Sequence, residues 1–155
     1  MAEIAKSRYV MSGLEYMRKL VAGELEASPM ARLLNIWIVE VDEGRVVVTA
    51  EPTPEFENGL RIAHGGFAAT LLDTALGCAV NSVMPAGKVF TTLEMKINFT
   101  RAVTAQTGTL TCTANIVHAG SRTATAEGRI VDAEGKVYAH GSATCILFRD
   151  TSEES

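Results

Sequence analysis

The sequence has little that would tie it to nucleic acid, to a metal, or to a secreted disulfide scaffold. Its net charge is -4 over 155 residues, and no cluster of Lys and Arg interrupts that balance. A duplex-binding surface needs a basic patch, so nucleic acid is not the expected partner. Three scattered histidines with no paired ligand spacing predict no zinc site. The three cysteines, Cys78, Cys112 and Cys145, are odd in number and sit in apolar stretches, which fits reduced core thiols rather than a disulfide framework. A catalytic thiolate would need a neighbouring imidazolium or helix start, and core packing is the better account of all three. There is no Gly-x-Ser-x-Gly elbow for a serine α/β-hydrolase. The first ten residues, MAEIAKSRYV, lack a long apolar stretch of the secretory type, so the expected location is the cytoplasm. Neither an internal repeat nor a low-complexity linker interrupts the chain.

What is present is an ordinary globular composition, 47% hydrophobic and 21% charged, at a length that predicts one domain with a real core. Ser12-Gly13-Leu14-Glu15 has the form of a capping box, and Leu14, Met17, Leu20 and Val21 keep helical spacing after it. Ser28-Pro29 is a second start signal, serine at the N-cap and proline at the first helical position, predicting a short helix over Met30 to Leu34. Trp37 to Val41 and Arg45 to Glu51 flank the turn Asp42-Glu43-Gly44 and read as a hairpin ended by Pro52 and Pro54. The expected organisation is a helical extension over 1–27, a main domain over 28–149 and an unstructured tail over 150–155.

From Gly65 to about Val83 the only charge is Asp73, in a run dense in Ala, Gly and Leu. Asp73 in mid-run, the polar Thr70, Thr74, Asn81 and Ser82, and the lack of flanking anchors argue against a membrane span. A core helix follows, and its small residues predict that a sheet wraps it on several faces. Beyond Pro85-Ala86-Gly87, strands are expected over Val89 to Thr100, Thr107 to His118, Thr123 to Val131 and Val137 to Phe148. Leu93, Met95, Ile97 and Phe99 alternate with Thr92, Glu94, Lys96 and Asn98, the pattern of a sheet with one covered face. The predicted class is α+β: an antiparallel sheet of five or six strands curved round one long central helix.

That arrangement, with Asn58-x5-His64-Gly65-Gly66-x6-Asp73, resembles the hotdog-fold thioesterases of the PaaI type, the phenylacetic-acid-degradation branch. The likeness extends over roughly residues 28 to 148. It implies hydrolysis of acyl-coenzyme A thioesters with no cofactor, coenzyme A being part of substrate and product. It implies Asp73 as the catalytic acid, Gly65 as the oxyanion-hole amide, His64 and Asn58 as groups fixing that end of the site, and Thr92 as a hydroxyl holding the water. It further implies Gly66 beside the substrate, Gly120, Ser121 and Arg122 as coenzyme contacts, and a homodimer that pairs into a homotetramer.

Physical argument supports the same chemistry. At a helix start the amides of Gly65 and Gly66 have no intrahelical acceptor and carry the positive end of the dipole, and glycine lets an oxygen approach the backbone closely. Such a donor suits a thioester carbonyl as it gains charge. Asp73 would act from the other side, as a base activating water or as a nucleophile forming a mixed anhydride. Eight positions at 1.5 Å each separate Gly65 from Asp73 by about 12 Å along the axis, too far for one carbonyl to touch both. An antiparallel helix from a second copy must complete each site, so two shared sites across a two-fold axis are expected.

Each residue also has a purely structural reading. Asp73 could bond a neighbouring hydroxyl, His64 could cap the helix, and Asn58 could stabilise the Asn-Gly turn. Strict alternation sets Thr92 opposite Leu93 and Met95 and leaves Thr91 in phase with them; a bulge would reverse this. The turn Gly120-Ser121-Arg122 offers amides, a hydroxyl and a guanidinium to phosphate, or is an ordinary hairpin turn, and Arg101 is a second candidate cation. Trp37, Phe56, Phe67, Met84 and Phe90 are candidates for an aromatic or medium-chain acyl pocket. Two other functions fit the fold: a sensor that binds acyl-coenzyme A without hydrolysis, and an enoyl-coenzyme A hydratase.

Overall fold

Serine caps and glycine turns set the element boundaries. The computed structural model describes residues 10–149; the expected tail over 150–155 lies outside the described residues. Helix α1 (Gly13–Val21) starts where Ser12 Oγ accepts the Glu15 amide at 3.2 Å, and α2 (Pro29–Leu33) where Ser28 Oγ accepts that of Ala31 at 3.3 Å. Strands β1 (Ile36–Asp42) and β2 (Arg45–Ala50) form the predicted hairpin, turning at Gly44 with φ of +79°, a conformation glycine adopts without steric cost. A 3-10 turn at Pro54–Phe56 leads to the long helix α3 (Gly65–Ser82). Four strands complete the chain: β3 (Lys88–Phe99), β4 (Leu110–Ala119), β5 (Thr123–Val131) and β6 (Val137–Arg149).

All six strands join one antiparallel sheet in the order β1-β2-β4-β5-β6-β3. The first strand after α3 therefore crosses to the far edge, beside the last. Helix α3 lies across the concave face. Leu71, Leu72, Leu76 and Val80 are fully buried against Val46, Val48, Cys112 and a row of alanines, Ala114, Ala124, Ala126 and Ala139. Small side chains on the sheet let the helix settle close, and each buried leucine contributes about 1.5–3 kcal/mol.

Two expectations need correction. The helix is not wrapped on every face: Gly65 and Gly66 are exposed, and Ala69, Thr70, Asp73, Thr74, Gly77 and Cys78 are only half-buried. These small residues form a continuous stripe along α3 that the rest of the chain leaves incompletely covered. Nor does β3 alternate throughout. Thr92 pairs with Cys145 and Glu94 with Thr144, so the register slips at Leu93. This bulge turns Leu93 outward, where it is 58% exposed, and Phe99 is 54% exposed near the strand's end. Phe90 and Thr92 before the bulge share the helix-facing side with Met95 and Ile97 after it. An inserted residue reverses the pleat.

Candidate active site

The uncovered stripe of α3 runs beside the edge strand β3, and the sequence-predicted site residues on it divide between its start and its middle. At the start of the helix, His64 occupies the N-cap with φ of -55° and ψ of 140° and makes no side-chain capping bond. Its own amide donates to Phe56 O at 2.8 Å, and the Ala63 amide donates to Val103 O at 2.8 Å. These two bonds fix the entering chain. The amides of Gly65 and Gly66 have no hydrogen-bond partner among the described residues, and both glycines are exposed. They are the orphan donors of a helix start, exposed and with the dipole behind them.

A pocket of about 420 Å3 opens here, lined by Asn58, His64, Gly65, Phe99, Arg101 and Tyr138 among others. Arg101 lies over the Tyr138 ring, 5.8 Å from its centroid. Asn58 Oδ1 accepts the Leu60 amide at 2.8 Å, so its side-chain carbonyl holds the Asn58-Gly59 turn.

Two turns along the helix, Thr92 Oγ1 donates to Asp73 Oδ1 at 3.0 Å. Of the two candidate threonines, the bulge at Leu93 selects Thr92, and Thr91 faces solvent. One Asp73 oxygen is thus occupied, and Oδ2 has no hydrogen-bond partner among the described residues. Below this pair lies the buried Cys145, whose thiol is pushed up by burial; the Thr92 hydroxyl opposes the shift and the charge of Asp73 adds to it. Burial, aided by Cys78, pushes the Cys112 thiol up to about 12. Both thiols stay protonated at neutral pH, so neither is a thiolate nucleophile.

The two groups do not meet. A methyl at Gly65 would touch the Phe99 ring at 3.1 Å, and Asp73 touches Thr92, so the groups face β3 seven residues apart. The turn Gly120-Ser121-Arg122 lies on the Asp73 side, since Thr92, Cys145 and Ala124 pair in one row across β3, β6 and β5. Its backbone is less available than the sequence suggests. The Gly120 amide donates to Thr123 O, and Arg122 O accepts from the Leu147 amide, both at 2.8 Å. Exposed side chains of Ser121 and Arg122 remain.

The five apolar candidates do not form one pocket. Phe56 and Phe67 stack at 5.0 Å and Met84 is in the core, while Trp37 and Phe90 line a separate cleft under α1. Sequence reasoning missed Tyr138 and left open whether β3 holds a bulge. The five-residue spacing from Phe90 to Met95, odd within one strand, was the available sign of the latter. Among the described residues no His, Cys, Asp or Glu cluster could hold a metal, and no helix is long and apolar enough to cross a membrane.

Comparison with known proteins agrees with this fold. The profile of the thioesterase superfamily matches residues 60–139, from just before the helix start through most of the sheet. The acyl-coenzyme A thioesterase PaaI of Escherichia coli is 36% identical over 127 residues, 82% of this chain and 83% of that protein. The 1,4-dihydroxy-2-naphthoyl-CoA hydrolase of Listeria monocytogenes is 31% identical over 67% of this chain and 83% of its own. The solved structure of the E. coli PaaI protein superimposes with a TM-score of 0.76 at 31% identity, covering 88% of this chain and 96% of that one. The hotdog architecture, the motif at the head of α3 and these matches agree: the chain belongs to the thioesterase superfamily.

Proposed function

We propose that the protein hydrolyses the thioester of an aromatic or medium-chain acyl-coenzyme A to the free acid and coenzyme A, at two sites shared between two copies of the chain. One observation carries this reading: the open amides of Gly65 and Gly66 and the Asp73–Thr92 pair lie two turns apart on one uncovered stripe, alongside an edge strand paired on one side only. A second copy related by a two-fold axis near Met95 covers both stripes. It extends the sheet through β3, buries Leu93 and Phe99, and sets each Asp73 against the partner's Gly65. An open edge with exposed apolar side chains is what such pairing removes.

In each site the thioester oxygen lies on the Gly65 amide of one subunit. A water between the carbonyl and the partner subunit's Asp73 gives a proton to the open carboxylate oxygen and its oxygen attacks the carbonyl carbon. Thr92 keeps its hydrogen bond to the other carboxylate oxygen, which leaves its lone pairs to orient the water. The tetrahedral oxyanion is held by the amide and the helix start. It collapses with cleavage of the C–S bond, and the leaving thiolate takes up the proton from Asp73. Arg101, Ser121 and Arg122 supply the cations and hydroxyl for the coenzyme phosphates.

Thiol release from a panel of aromatic and straight-chain acyl-coenzyme A thioesters tests the activity. Wild type hydrolyses some members, and Asp73→Asn, folded and associated as wild type, loses at least ~10³-fold in kcat. Wild type that binds these thioesters and releases no thiol overturns the proposal in favour of a sensor or hydratase. Mixing tests the sharing: Asp73→Asn and Gly65→Pro, each inactive alone, recover about a quarter of wild-type activity after random re-association, because half the dimers are mixed and each mixed dimer holds one intact site. No recovery means that each site is built within one chain.

A further inference from the structure

Arg101 is an exposed cation with no carboxylate partner among the described residues. What fixes it is a ring: its guanidinium lies over Tyr138, 5.8 Å from the centroid. We infer that Tyr138 is a positioning residue for coenzyme A, a platform anchored by Asp132 that aims the Arg101 guanidinium at the coenzyme phosphates. This rests on the thioesterase reading and deepens it, by separating the residue that touches the coenzyme from the one that holds it in place.

The backbone is the first argument. Tyr138 sits at a slip in the ladder between β5 and β6, where Ile130 pairs with Ala139 and Val131 with Val137. In an unbroken strand Tyr138 and Ala139 would point to opposite faces of the sheet; here both are buried in one core cluster. A bulge re-aims a side chain, and this one brings the ring to the wall of the pocket of about 420 Å3 that also holds Asn58, His64, Gly65 and Arg101. The chain leaving β3 is fastened to the same point. The Thr100 and Arg101 amides donate to Tyr138 O at 2.9 and 3.3 Å, and Thr100 Oγ1 donates to Val137 O at 2.8 Å. One junction therefore sets both the arginine and the ring beneath it.

The chemistry is the second. Asp132 is buried, and its Oδ1 accepts the Glu134 and Lys136 amides at 3.0 and 2.9 Å, closing the turn between β5 and β6. Burial would raise its carboxyl, but the Lys136 amide, the Tyr138 hydroxyl, the Lys136 charge and the Glu134 amide together hold it below the usual carboxylate range. The hydroxyl of Tyr138 is thus tied to a charged acceptor, which leaves the ring face to Arg101. A carboxylate in place of the ring would hold the guanidinium and also cancel its charge. An aromatic face holds it and leaves both the charge and the N–H edge for a phosphate. Arg101 stands on the Gly65 side of the site and Arg122 on the Asp73 side, so each shared site takes one cation from each copy.

A shortened substrate isolates the effect. kcat and KM are measured on an acyl-coenzyme A and on the pantetheine thioester of the same acyl group, which keeps the reacting bond and has no phosphate. The variants are Arg101→Ala, Tyr138→Phe, and the ring-less Tyr138→Met and Tyr138→Leu, two volumes so that one folded form suffices, with thermal melts as the check on folding. In Arg101→Ala KM for the coenzyme A substrate rises about 10–30-fold, the scale of a hydrogen bond to a charged group. The ring-less variants raise it about 5-fold, and Tyr138→Phe, which keeps the aromatic face, about 2-fold. Throughout, kcat and both constants for the pantetheine thioester stay within about 2-fold of wild type. Adding Arg101→Ala to a ring-less variant raises KM no further than Arg101→Ala alone, because the two act on one contact. The inference is overturned by ring-less variants that weaken both substrates alike, by ring-less variants that leave KM for the coenzyme A substrate at the wild-type value, or by a double variant whose KM change is the product of the two single ones. If wild type cleaves no thioester, the thioesterase reading fails, and Kd for coenzyme A against Kd for pantetheine still decides the positioning: the preference for coenzyme A falls in the same order of variants, or the inference is wrong.

Discussion

The two ends of α3 treat their orphan backbone groups in opposite ways. At the C-terminal end Ser82 Oγ accepts the Gly44 amide at 2.8 Å and bonds Ala79 O at 2.7 Å, and Gly13 donates to Met84 O at 3.0 Å. Asn81 and Ser82 are buried there, and a methyl on Gly13 would collide with the Asn81 carbonyl. At the N-terminal end the cap makes no side-chain bond, and two glycine amides face outward. One end is finished by the fold; the other leaves its amides unpaired, where a helix start favours an anion.

That contrast can be broken from either end, and the open end should respond most in activity. Gly65→Pro removes one amide while keeping a helix: proline is favoured at the first position, and His64 already has the extended conformation that precedes proline. The expected loss is ~10²–10³-fold in kcat with Tm changed by no more than a few degrees, checked by steady-state kinetics and thermal melts. Thr92→Val, which deletes the hydroxyl on Asp73 and keeps the shape, should cost about 10–100-fold, the worth of one hydrogen bond to a charged group. A Thr92→Val enzyme as active as wild type would remove Thr92 from the site.

The closed end should respond in stability instead. Ser82→Ala strands the Gly44 amide, and about 1–3 kcal/mol is the expected loss by denaturant titration, with the specific activity of the folded protein retained. Cys112, on β4 beneath the helix, shows its effect only at alkaline pH. Its folded thiol titrates near 12 against an ordinary 9.0. From pH 9 to about 12 the unfolded chain therefore releases a proton that the folded chain keeps. The contribution is complete below pH 9 and declines as pH rises, at up to ~1.4 kcal/mol per unit. Replacing Cys112 with Ala should flatten that part of the stability curve.

How much of this was legible in the sequence follows from whether the determinant was local. The starts of α1 and α2 were legible because Ser12 and Ser28 act within three residues of themselves. The limits of α3 were legible from Gly65 and from the run of small apolar residues; the family likeness gave Thr92 as a hydroxyl holding the water, and a hydroxyl on Asp73 entered only as that residue's structural reading. The choice between Thr91 and Thr92 was not, because it depends on a bulge whose register is set by β6, about fifty residues later. The uncovered stripe was also hidden: glycine and alanine on a helix permit close approach without saying whether the neighbour is the chain's own sheet or a second copy. The scatter of Phe56, Phe67 and Met84 away from the cleft has the same cause, since an apolar side chain does not record which cavity it will meet. The Gly120 amide was credited to a ligand because its partner, Thr123 O, is visible only once the hairpin closes.

The bulge at Leu93 makes the site a matter of parity. Any side chain on β3 is assigned to helix or solvent by whether an even or odd number of residues separates it from the slip, and the sheet reads that count without regard to which residues supply it. Deleting Leu93 would leave every chemical group of the site in the polypeptide, yet it would rotate Thr92 outward and bring Thr91 in, or drag Met95 and Ile97 off the core. An alignment that treats the region as interchangeable letters would score such a deletion as one lost leucine. In the molecule it is a change of phase, and the hydroxyl on Asp73 is kept by arithmetic as much as by chemistry.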